Sequence, residues 1–484
     1  MLSRTTIDEV SKAFLFQAHE CAYSIGDHVC LQRHWKLVEA GALRKPGHAS
    51  ISNTRLIVKM RIMHKLYCRC IYDTVKSMLI HKLHPAVYGI HKGDRCVFIH
   101  TKYTTLARKS YKWRLPMAIA TLDISRAFAT VPLYAVLKAL EYHGAPEEII
   151  SLIATEIKGN KLRISVQPGE SFDVDLQRGI LEGSPLSMVL ILLVQSMLVA
   201  RLLANTTFVD ALAVLPSAPN SSSVRVDPTI WVDDFVLAAN SSNALQRQIE
   251  LIEDLLGQLE MDFKLSKIHW MSSETLMAQE IFVRRQSIQK EKALNVLGLQ
   301  ISSDGSPQTS IDQRRTAALA KWFSLDKEAR LQKLSIDTIF RLHNQTFIPA
   351  MSYGLAALAL TSDHLRHLAR SSTTHLLRYY RRPPGAYLPA WIQGTRAKLK
   401  AARLSGELMT PVKCIASDLR ALHRHCSDDR GSQLRDILEW RCRAWQSSVN
   451  RNNRPQMKRG GDFIELTLLD SQLAYFGFLR RHVA

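Results

Sequence analysis

The sequence lacks the cysteine patterns that define disulfide-stabilised secreted domains and zinc fingers. It contains 8 cysteines in 484 residues, and no spacing among them matches either pattern. The nearest approach to a metal-binding spacing is made by Cys414, His423, His425 and Cys426. Because unpaired cysteines are typical of a reducing compartment, we expect an intracellular protein.

Long hydrophobic runs are also scarce. The first sixteen residues carry several charges, unlike a signal peptide. Residues 186–203 are apolar enough to rival a membrane span, but Gln195 and Ser196 interrupt the stretch and Arg201 closes it. We therefore predict a buried helix packed under a sheet, and we expect no membrane partner.

Acidic residues are few relative to basic ones. The chain has 43 Asp and Glu against 64 Lys and Arg, giving a net charge of +21, which favours a polyanionic partner. Residues 364–403 hold nine Lys or Arg and no acid. Four aromatic residues fall in this basic window: Tyr379, Tyr380, Tyr387 and Trp391. This mixture suits a nucleic-acid backbone with base stacking, although a solvated basic face of a helical subdomain has the same composition.

Two adjacent aspartates stand out in the segment Ile-Trp-Val-Asp-Asp-Phe-Val-Leu, residues 230–237. Apolar residues on both sides predict a β-hairpin with Asp233 and Asp234 at its turn. Two carboxylates so close together repel each other, and a bound divalent cation relieves that repulsion. The alternative is an ordinary exposed turn, in which Asp is a favoured residue.

A third carboxylate follows a second apolar run. Residues 117–122 predict a buried strand with Asp123 at its C-terminal end, where sites gather in many sheets. By itself Asp123 would also fit a helix N-cap or a strand-end turn. Three carboxylates on neighbouring strands would suit two Mg²⁺ ions about 3.5–4 Å apart.

A loop with phosphate-binding character lies between these segments, at residues 177–187. Gly179 and Gly183 allow close approach of the backbone to a ligand. Ser184 is placed to cap, and Pro185 to begin, the apolar helix that follows. A helix N-terminus after a turn is a natural place for a phosphate or a template backbone.

The order of these segments resembles the reverse transcriptase domain of non-LTR (LINE-type) retrotransposons, from about residue 50 to about residue 385. Five motifs carry the resemblance in the family's order: Leu122–Phe128, Arg178–Ser187, Trp231–Asp234, Leu265–Lys267 and Val296–Leu299. It implies an α+β fold of the right-hand polymerase type, with an antiparallel-sheet palm, fingers and a helical thumb. It also implies an RNA-directed DNA polymerase, a nucleotidyltransferase of a retrotransposon-like element.

The resemblance assigns catalytic roles to particular residues. Asp123, Asp233 and Asp234 would hold two Mg²⁺ ions, with Mn²⁺ as an alternative metal. The backbone carbonyl of Ile124 would supply a further oxygen ligand. Lys267 would face the triphosphate and neutralise or protonate the departing pyrophosphate, although a surface loop lysine has the same local sequence.

The resemblance also implies residues that contact substrate. Phe128 stands where the family places an aromatic steric gate that excludes a ribose 2′-hydroxyl, although a plain core aromatic would fit equally. Arg55 and Lys65 would approach the nucleotide phosphates from the fingers, or else form a solvated basic face. Glu182 and Gly183 belong to the loop that contacts template and incoming nucleotide.

Glu182 occupies a position where the family nearly always has glutamine, and a carboxylate there would repel a triphosphate. This departure keeps a second hypothesis open, a catalytically inactive or domesticated nucleic-acid-binding descendant. An RNA-templated RNA polymerase would have the same arrangement of palm carboxylates. Phe128, as a steric gate against ribonucleotides, argues against this alternative. The expected partners are an RNA template, a DNA primer and dNTPs, and the family implies a nuclear location.

The domain organisation follows from the positions of the motifs. We expect five regions: an N-terminal helical extension (1–50), fingers (51–115), a palm with the reverse transcriptase motifs (116–305), a helical thumb or connection (306–400) and a C-terminal helical region without an assigned role (401–484). Residues 88–90, Tyr-Gly-Ile, resemble a fingers motif of the family.

Overall fold

The structure is a computed structural model, and it describes residues 37–44, 54–167, 170–215, 223–273, 280–331, 334–379, 388–405, 407–434 and 436–437. The Pro-Pro-Gly segment at 383–385, and Tyr380 and Tyr387 of the basic window, lie outside these ranges.

The described strands form two larger sheets and three small hairpins. They are β1 Leu37–Arg44, β2 Thr54–Lys59, β3 Val87–Tyr88, β4 Ala118–Asp123, β5 Lys161–Gln167, β6 Glu170–Asp175, β7 Ala213–Leu215, β8 Val224–Val226, β9 Thr229–Trp231, β10 Asp234–Ala239, β11 His269–Ser272, β12 Ile281–Val283, β13 Gln286–Ile288, β14 Ala293–Val296 and β15 Leu299–Ser302.

The described helices surround the sheets and make up the C-terminal half. They are α1 Ile62–Leu79, α2 Cys96–Trp113, α3 Ala127–Thr130, α4 Leu133–Tyr142, α5 Glu147–Ile157, α6 Pro185–Ala204, α7 Thr206–Ala211, α8 Ser242–Gln258, α9 Gln308–Leu331, α10 Ile336–Leu342, α11 Ile348–Ser352, α12 Ser362–Thr374, α13 Leu388–Ser405 and α14 Pro411–Ser427. Short 3₁₀ turns at Leu265–Lys267 and Asp429–Gly431 matter for the site.

The central sheet has the strand order β11-β4-β10-β9-β3. Its pairings are antiparallel except for β3 with β9. Alternate residues of β4 face opposite sides: Ala120 and Leu122 join the core that contains α6, whereas Ile119 joins the core that contains α2. This period of two is that of a strand buried on both faces, so the sheet is fixed by two hydrophobic layers.

Helix α6 is the apolar segment that the sequence predicted to be a buried helix. It runs from Pro185 to Ala204, and it is the one helix in the described ranges long and apolar enough to span a membrane. About 78% of its most apolar window is buried within the protein, where it packs against α1 and α4. The prediction of a core helix is confirmed.

The N-terminal part of the described chain corrects one expectation. Residues 37–44, assigned to a helical extension, instead form β1, in a second sheet of order β2-β1-β5-β6. Strand β1 pairs antiparallel with β2 and parallel with β5. Pairing with partners distant in sequence makes this segment a strand. The local sequence contains little information about such partners, so it did not predict the strand.

The class is mixed α+β as expected, with a largely antiparallel central sheet followed by helices. The region expected to be the thumb is helical, from α9 to α13, and shares a hydrophobic core with α14 and the start of α2. Two elements within residues 51–115, β3 and α2, lie on the central sheet. The sheet of β1, β2, β5 and β6 is separate from it.

Candidate active site

Three aspartates meet at one edge of the central sheet. Asp123 ends β4 and pairs directly with Asp234, the first residue of β10. Asp233 lies in the turn between β9 and β10, and its carbonyl oxygen accepts a hydrogen bond from the Ile124 N–H at 3.2 Å. The turn residues are Val232 and Asp233, so the predicted hairpin is correct but its turn is shifted by one residue.

The carboxylates of Asp123, Asp233 and Asp234, here called the aspartate cluster, lie close together. Each offers an oxygen within 4.8 Å of the others. Asp123 is 5% exposed, and the other two are partly buried. Burial, together with the charges of Asp233 and Asp123, raises the pKa of Asp234 to about 6, and Lys267 opposes this rise. A divalent cation fits this cluster because the donor set consists of carboxylate oxygens carrying excess negative charge.

Lys267 lies beside the aspartate cluster, as the sequence implied. It ends the 3₁₀ turn Leu265–Lys267, and its Nζ forms an ion pair with Asp123 Oδ2. The turn is held against β4 because the Lys264 N–H donates to the Asp123 carbonyl at 2.8 Å. The Lys267 side chain remains 50% exposed, so its ammonium is accessible to an anionic substrate.

The turn that carries Asp233 has an unusual backbone. Val232 has a φ of 57°, a left-handed conformation that β-branched residues rarely adopt. Its Cγ2 would lie 3.1 Å from a Cβ added to Gly89, so a side chain at Gly89 would crowd Val232. Tyr88, paired with Trp231, brings this segment to the hairpin. The Tyr88–Ile90 segment therefore supports the turn that positions Asp233.

Sequence reasoning missed two residues that hold this support in place. Asp94 Oδ2 accepts hydrogen bonds from the backbone N–H groups of residues 89–91, at 2.9, 3.2 and 3.1 Å. Arg430 binds Asp94 Oδ1 at 3.0 Å and donates to the Val87 carbonyl at 2.8 Å. The C-terminal region after residue 400, to which the sequence assigned no role, thus contacts the segment that supports the β9–β10 turn.

The loop at residues 177–187 has the expected local geometry. The Ser184 side chain accepts from the Leu186 N–H, and Pro185 begins α6. At Gly179 a Cβ would meet the Ala129 carbonyl oxygen at 2.6 Å, so only glycine fits there. Gly183 has a φ of 110°. At Gly179 the loop backbone therefore closely approaches the backbone of this chain. This contact holds the loop against the segment that follows β4.

Glu182 and Phe128 are tied to their surroundings through their backbones. The Glu182 carbonyl accepts from the Val58 N–H of β2 at 3.2 Å, which joins this loop to the second sheet. The Phe128 carbonyl accepts from the Ile180 N–H at 2.7 Å. The Phe128 ring is partly buried against the core. This position is compatible both with a core aromatic and with a steric gate.

Arg55 and Lys65 lie on adjacent elements. Arg55 is in β2 opposite Leu43, and its side chain falls outside what the structure describes. Lys65 is exposed on α1. Their contact with nucleotide phosphates stays a prediction.

Five of the eight cysteines lie in the described ranges. They are Cys68, Cys70, Cys96, Cys414 and Cys426, and none of them is joined in a disulfide. His425 of the weak zinc pattern stacks on Phe98, with ring centroids 4.0 Å apart. Among the described residues, neither Cys414 nor Cys426 belongs to a group of His, Cys, Asp or Glu side chains close enough together to hold a metal ion.

Comparison with known proteins identifies relatives of this chain. A family model described as reverse transcriptase (RNA-dependent DNA polymerase) matches residues 43–301. A Pol polyprotein of the R2 retrotransposable element of Nasonia vitripennis is 27% identical over 154 residues, which cover 32% of this chain and 14% of the relative. The R2DM polyprotein of Drosophila melanogaster is 23% identical, covering 59% of this chain and 27% of the relative. An R2 polyprotein of Popillia japonica is 20% identical, covering 69% and 46%.

The chain therefore spans less than half of the length of these curated relatives. Among solved structures, the telomerase of Candida tropicalis with a telomeric RNA fragment aligns at 10% identity and a TM-score of 0.40, covering 74% of this chain and 64% of the other. The telomerase of Candida albicans aligns at 12% identity and a TM-score of 0.38, covering 88% and 64%. Because the family model spans more than half of the sequence, this chain belongs to the reverse transcriptase (RNA-dependent DNA polymerase) family, as a domain of the kind found in non-LTR elements.

Proposed function

We propose that this chain is an RNA-directed DNA polymerase of a retrotransposon-like element that uses two divalent cations. One observation carries the proposal. Asp123, Asp233 and Asp234, far apart in sequence, offer oxygens within 4.8 Å of one another, and Lys267 pairs with Asp123 beside them. A structural role alone does not require three repelling carboxylates at the open end of a sheet.

The aspartate cluster would hold the cations, and its all-oxygen donor set favours Mg²⁺, with Mn²⁺ as an alternative. When bound, the cations would stabilise the attacking 3′-hydroxyl and the leaving pyrophosphate. The Ile124 N–H donates to the Asp233 carbonyl, and the Ile124 carbonyl would be a further oxygen ligand, as the family resemblance implies.

The other residues of the chain position and neutralise the substrate. Lys267 already pairs with a carboxylate, and an anionic triphosphate would offer its ammonium an alternative partner. Phe128, held beside the loop through Ile180, would exclude a ribose 2′-hydroxyl. Arg55 and Lys65 would contact phosphates from β2 and α1. Most of the rate enhancement in such a reaction comes from positioning and electrostatic stabilisation.

The proposed partners, an RNA template, a DNA primer and dNTPs, are inferred from the charge of the chain and from its family. A net charge of +21 favours a polyanion, and the family supplies the pairing of an RNA template with a DNA primer. The basic residues of α12 and α13, such as Arg366, Arg370 and Arg396, would contact the duplex backbone.

The direct test is extension of a DNA primer on an RNA template with Mg²⁺ and dNTPs. We expect extension by the wild type, and none by the Asp233→Ala/Asp234→Ala double variant. Asp254→Asn, which changes an exposed carboxylate on α8, is the matched control and should extend normally. A folded wild type that binds RNA but never extends a primer would contradict the proposal.

A second candidate is a nucleic-acid-binding descendant without polymerase activity. The observation that favours it is Glu182, whose carboxylate replaces the family's glutamine in the loop next to β2. In that case RNA binding would persist in the double variant, and extension would be absent from both proteins.

A further inference from the structure

A second group of metal-ligating side chains lies outside the aspartate cluster, where α1 meets α5. His64 and Cys68 are four residues apart on α1 and therefore share one helix face. Glu156 approaches them from the last turn of α5. Its Oε1 lies 2.5 Å from His64 Nε2 and 3.3 Å from Cys68 Sγ. An imidazole nitrogen, a thiol and a carboxylate thus converge on one point, and we call them the His64 group.

Two members of the His64 group are buried and the third is partly buried. His64 is 2% and Cys68 1% exposed, and the Glu156 side chain is 13% exposed. A buried carboxylate is costly unless its charge is compensated. A divalent cation held by a thiolate, a carboxylate and a neutral imidazole would give a group with no net charge. Such a neutral group is less costly to bury than a carboxylate whose charge is compensated only by hydrogen bonds.

We propose that the His64 group is a site for Zn²⁺ or a similar thiophilic divalent cation. A thiolate with an imidazole selects zinc over Mg²⁺, which prefers oxygen ligands. At usual zinc–ligand lengths of about 2.0–2.3 Å, tetrahedral ligand atoms lie about 3.3–3.6 Å apart. The separation of Sγ from Oε1 is already 3.3 Å. The His64 nitrogen and the Glu156 oxygen, at 2.5 Å, would have to separate by about 0.8 Å.

The site would be structural. Helix α1 follows directly after β2, whose Val58 N–H binds the Glu182 carbonyl in the loop of the candidate active site. A cation bridging α1 to α5 would fix the start of α1, and with it the end of β2. The competing explanation needs no metal: it is a hydrogen-bonded His64–Glu156 pair to which the Cys68 thiol also donates, and a serine hydroxyl could donate in the same way. Cys68→Ser therefore separates the two explanations.

Cobalt substitution tests the proposal on the full chain. Co²⁺ bound to a thiolate gives a charge-transfer band in the near ultraviolet, which carboxylate ligands alone do not give. We expect the band in the wild type at one equivalent of Co²⁺, and its displacement by Zn²⁺. The band should also persist in Asp233→Ala/Asp234→Ala, because the aspartate cluster contributes no sulfur.

Cys68→Ser should abolish the band and weaken Zn²⁺ binding at least tenfold. Cys70→Ser, two residues along the same helix and partly exposed, is the matched control and should keep both. A wild type without the band, or a band that survives in Cys68→Ser, would overturn the proposal. If Cys68→Ser fails to fold, zinc-edge X-ray absorption of the wild type decides: one sulfur with nitrogen and oxygen ligands supports the site, and a sulfur-free shell refutes it.

Discussion

Replacing Asp234 by asparagine should stabilise the metal-free protein while removing its response to Mg²⁺. In the native fold Asp234 is partly buried and faces Asp233 and Asp123, and these effects raise its pKa to about 6 from 3.8. A carboxyl group with a raised pKa is more costly to ionise in the folded than in the unfolded chain. Asparagine keeps the shape of the side chain and removes that charge.

The size of the effect follows from the pKa. A rise from 3.8 to about 6 corresponds to at most about 3 kcal/mol of destabilisation at pH 8. Because the side chain is partly exposed, solvent screening should reduce this to about 1–2 kcal/mol. For a chain of this size we expect a melting temperature about 1–2 °C higher for Asp234→Asn.

The pH dependence has a definite sign. The destabilisation caused by ionised Asp234 is complete above about pH 6, where the side chain is charged in both the folded and the unfolded chain. It decreases as the pH falls toward 3.8. The advantage of Asp234→Asn should therefore be largest at pH 8 and small near pH 4. Below about pH 6 the native protein takes up a proton at this site, so Mg²⁺ should bind more weakly there.

Thermal melts with and without Mg²⁺, at pH 8 and pH 5, measure both effects. Mg²⁺ should raise the melting temperature of the wild type by mass action, and should raise that of Asp234→Asn much less. Asp254→Asn should behave as the wild type in every condition. The reasoning is refuted if Asp234→Asn is no more stable than the wild type at pH 8 without metal, or if Mg²⁺ stabilises both equally.

Four further variants test individual roles. Phe128→Ala should raise incorporation of ribonucleotides relative to deoxynucleotides, measured as a ratio of kcat/KM; an unchanged ratio would mean that Phe128 is a core aromatic. Glu182→Gln should lower the KM for dNTPs if its carboxylate repels the triphosphate, and no gain would show that this departure does not impair the enzyme. Lys267→Ala should lower kcat about 10–100-fold. Because Lys267 lowers the pKa of Asp234, its removal should also shift the acid limb of the pH–rate profile to higher pH. An acid limb that does not move would contradict this coupling. Arg430→Gln should destabilise the fold by about 1–3 kcal/mol and lower kcat more than it changes primer–template binding; an unchanged kcat would leave Arg430 with a role in stability alone.

Local patterns predicted the features of the site that depend on neighbouring residues. The apolar run before Asp123 gave β4, because a strand buried on both faces has a continuous hydrophobic sequence. Ser184 and Pro185 marked the start of α6 through capping chemistry that acts within a few residues. The hairpin at Asp233 and Asp234 was also expected, but its turn lies one residue earlier, since pairing with β4 fixes the register.

Long-range contacts account for what the sequence did not reveal. Strand β1 depends on β5, whose first residue Lys161 pairs with Leu37, and a short segment has no local signal for such a partner. Arg430 reaches Asp94 across 336 residues. Neither Arg430 nor Asp94 belongs to a recognisable motif. Only folding brings them to the segment that lies beside Val232.

The central claim is that Asp123, Asp233 and Asp234 form the metal site of a polymerase. Addition of a single deoxynucleotide to a DNA primer on an RNA template, followed as Mg²⁺ is titrated, tests it most directly. We expect a Mg²⁺-dependent rate in the wild type and in Asp254→Asn, and none in Asp233→Ala/Asp234→Ala at any Mg²⁺ concentration. A wild type that folds and binds the primer–template without adding a nucleotide, or a double variant that adds it at the wild-type rate, would contradict the account.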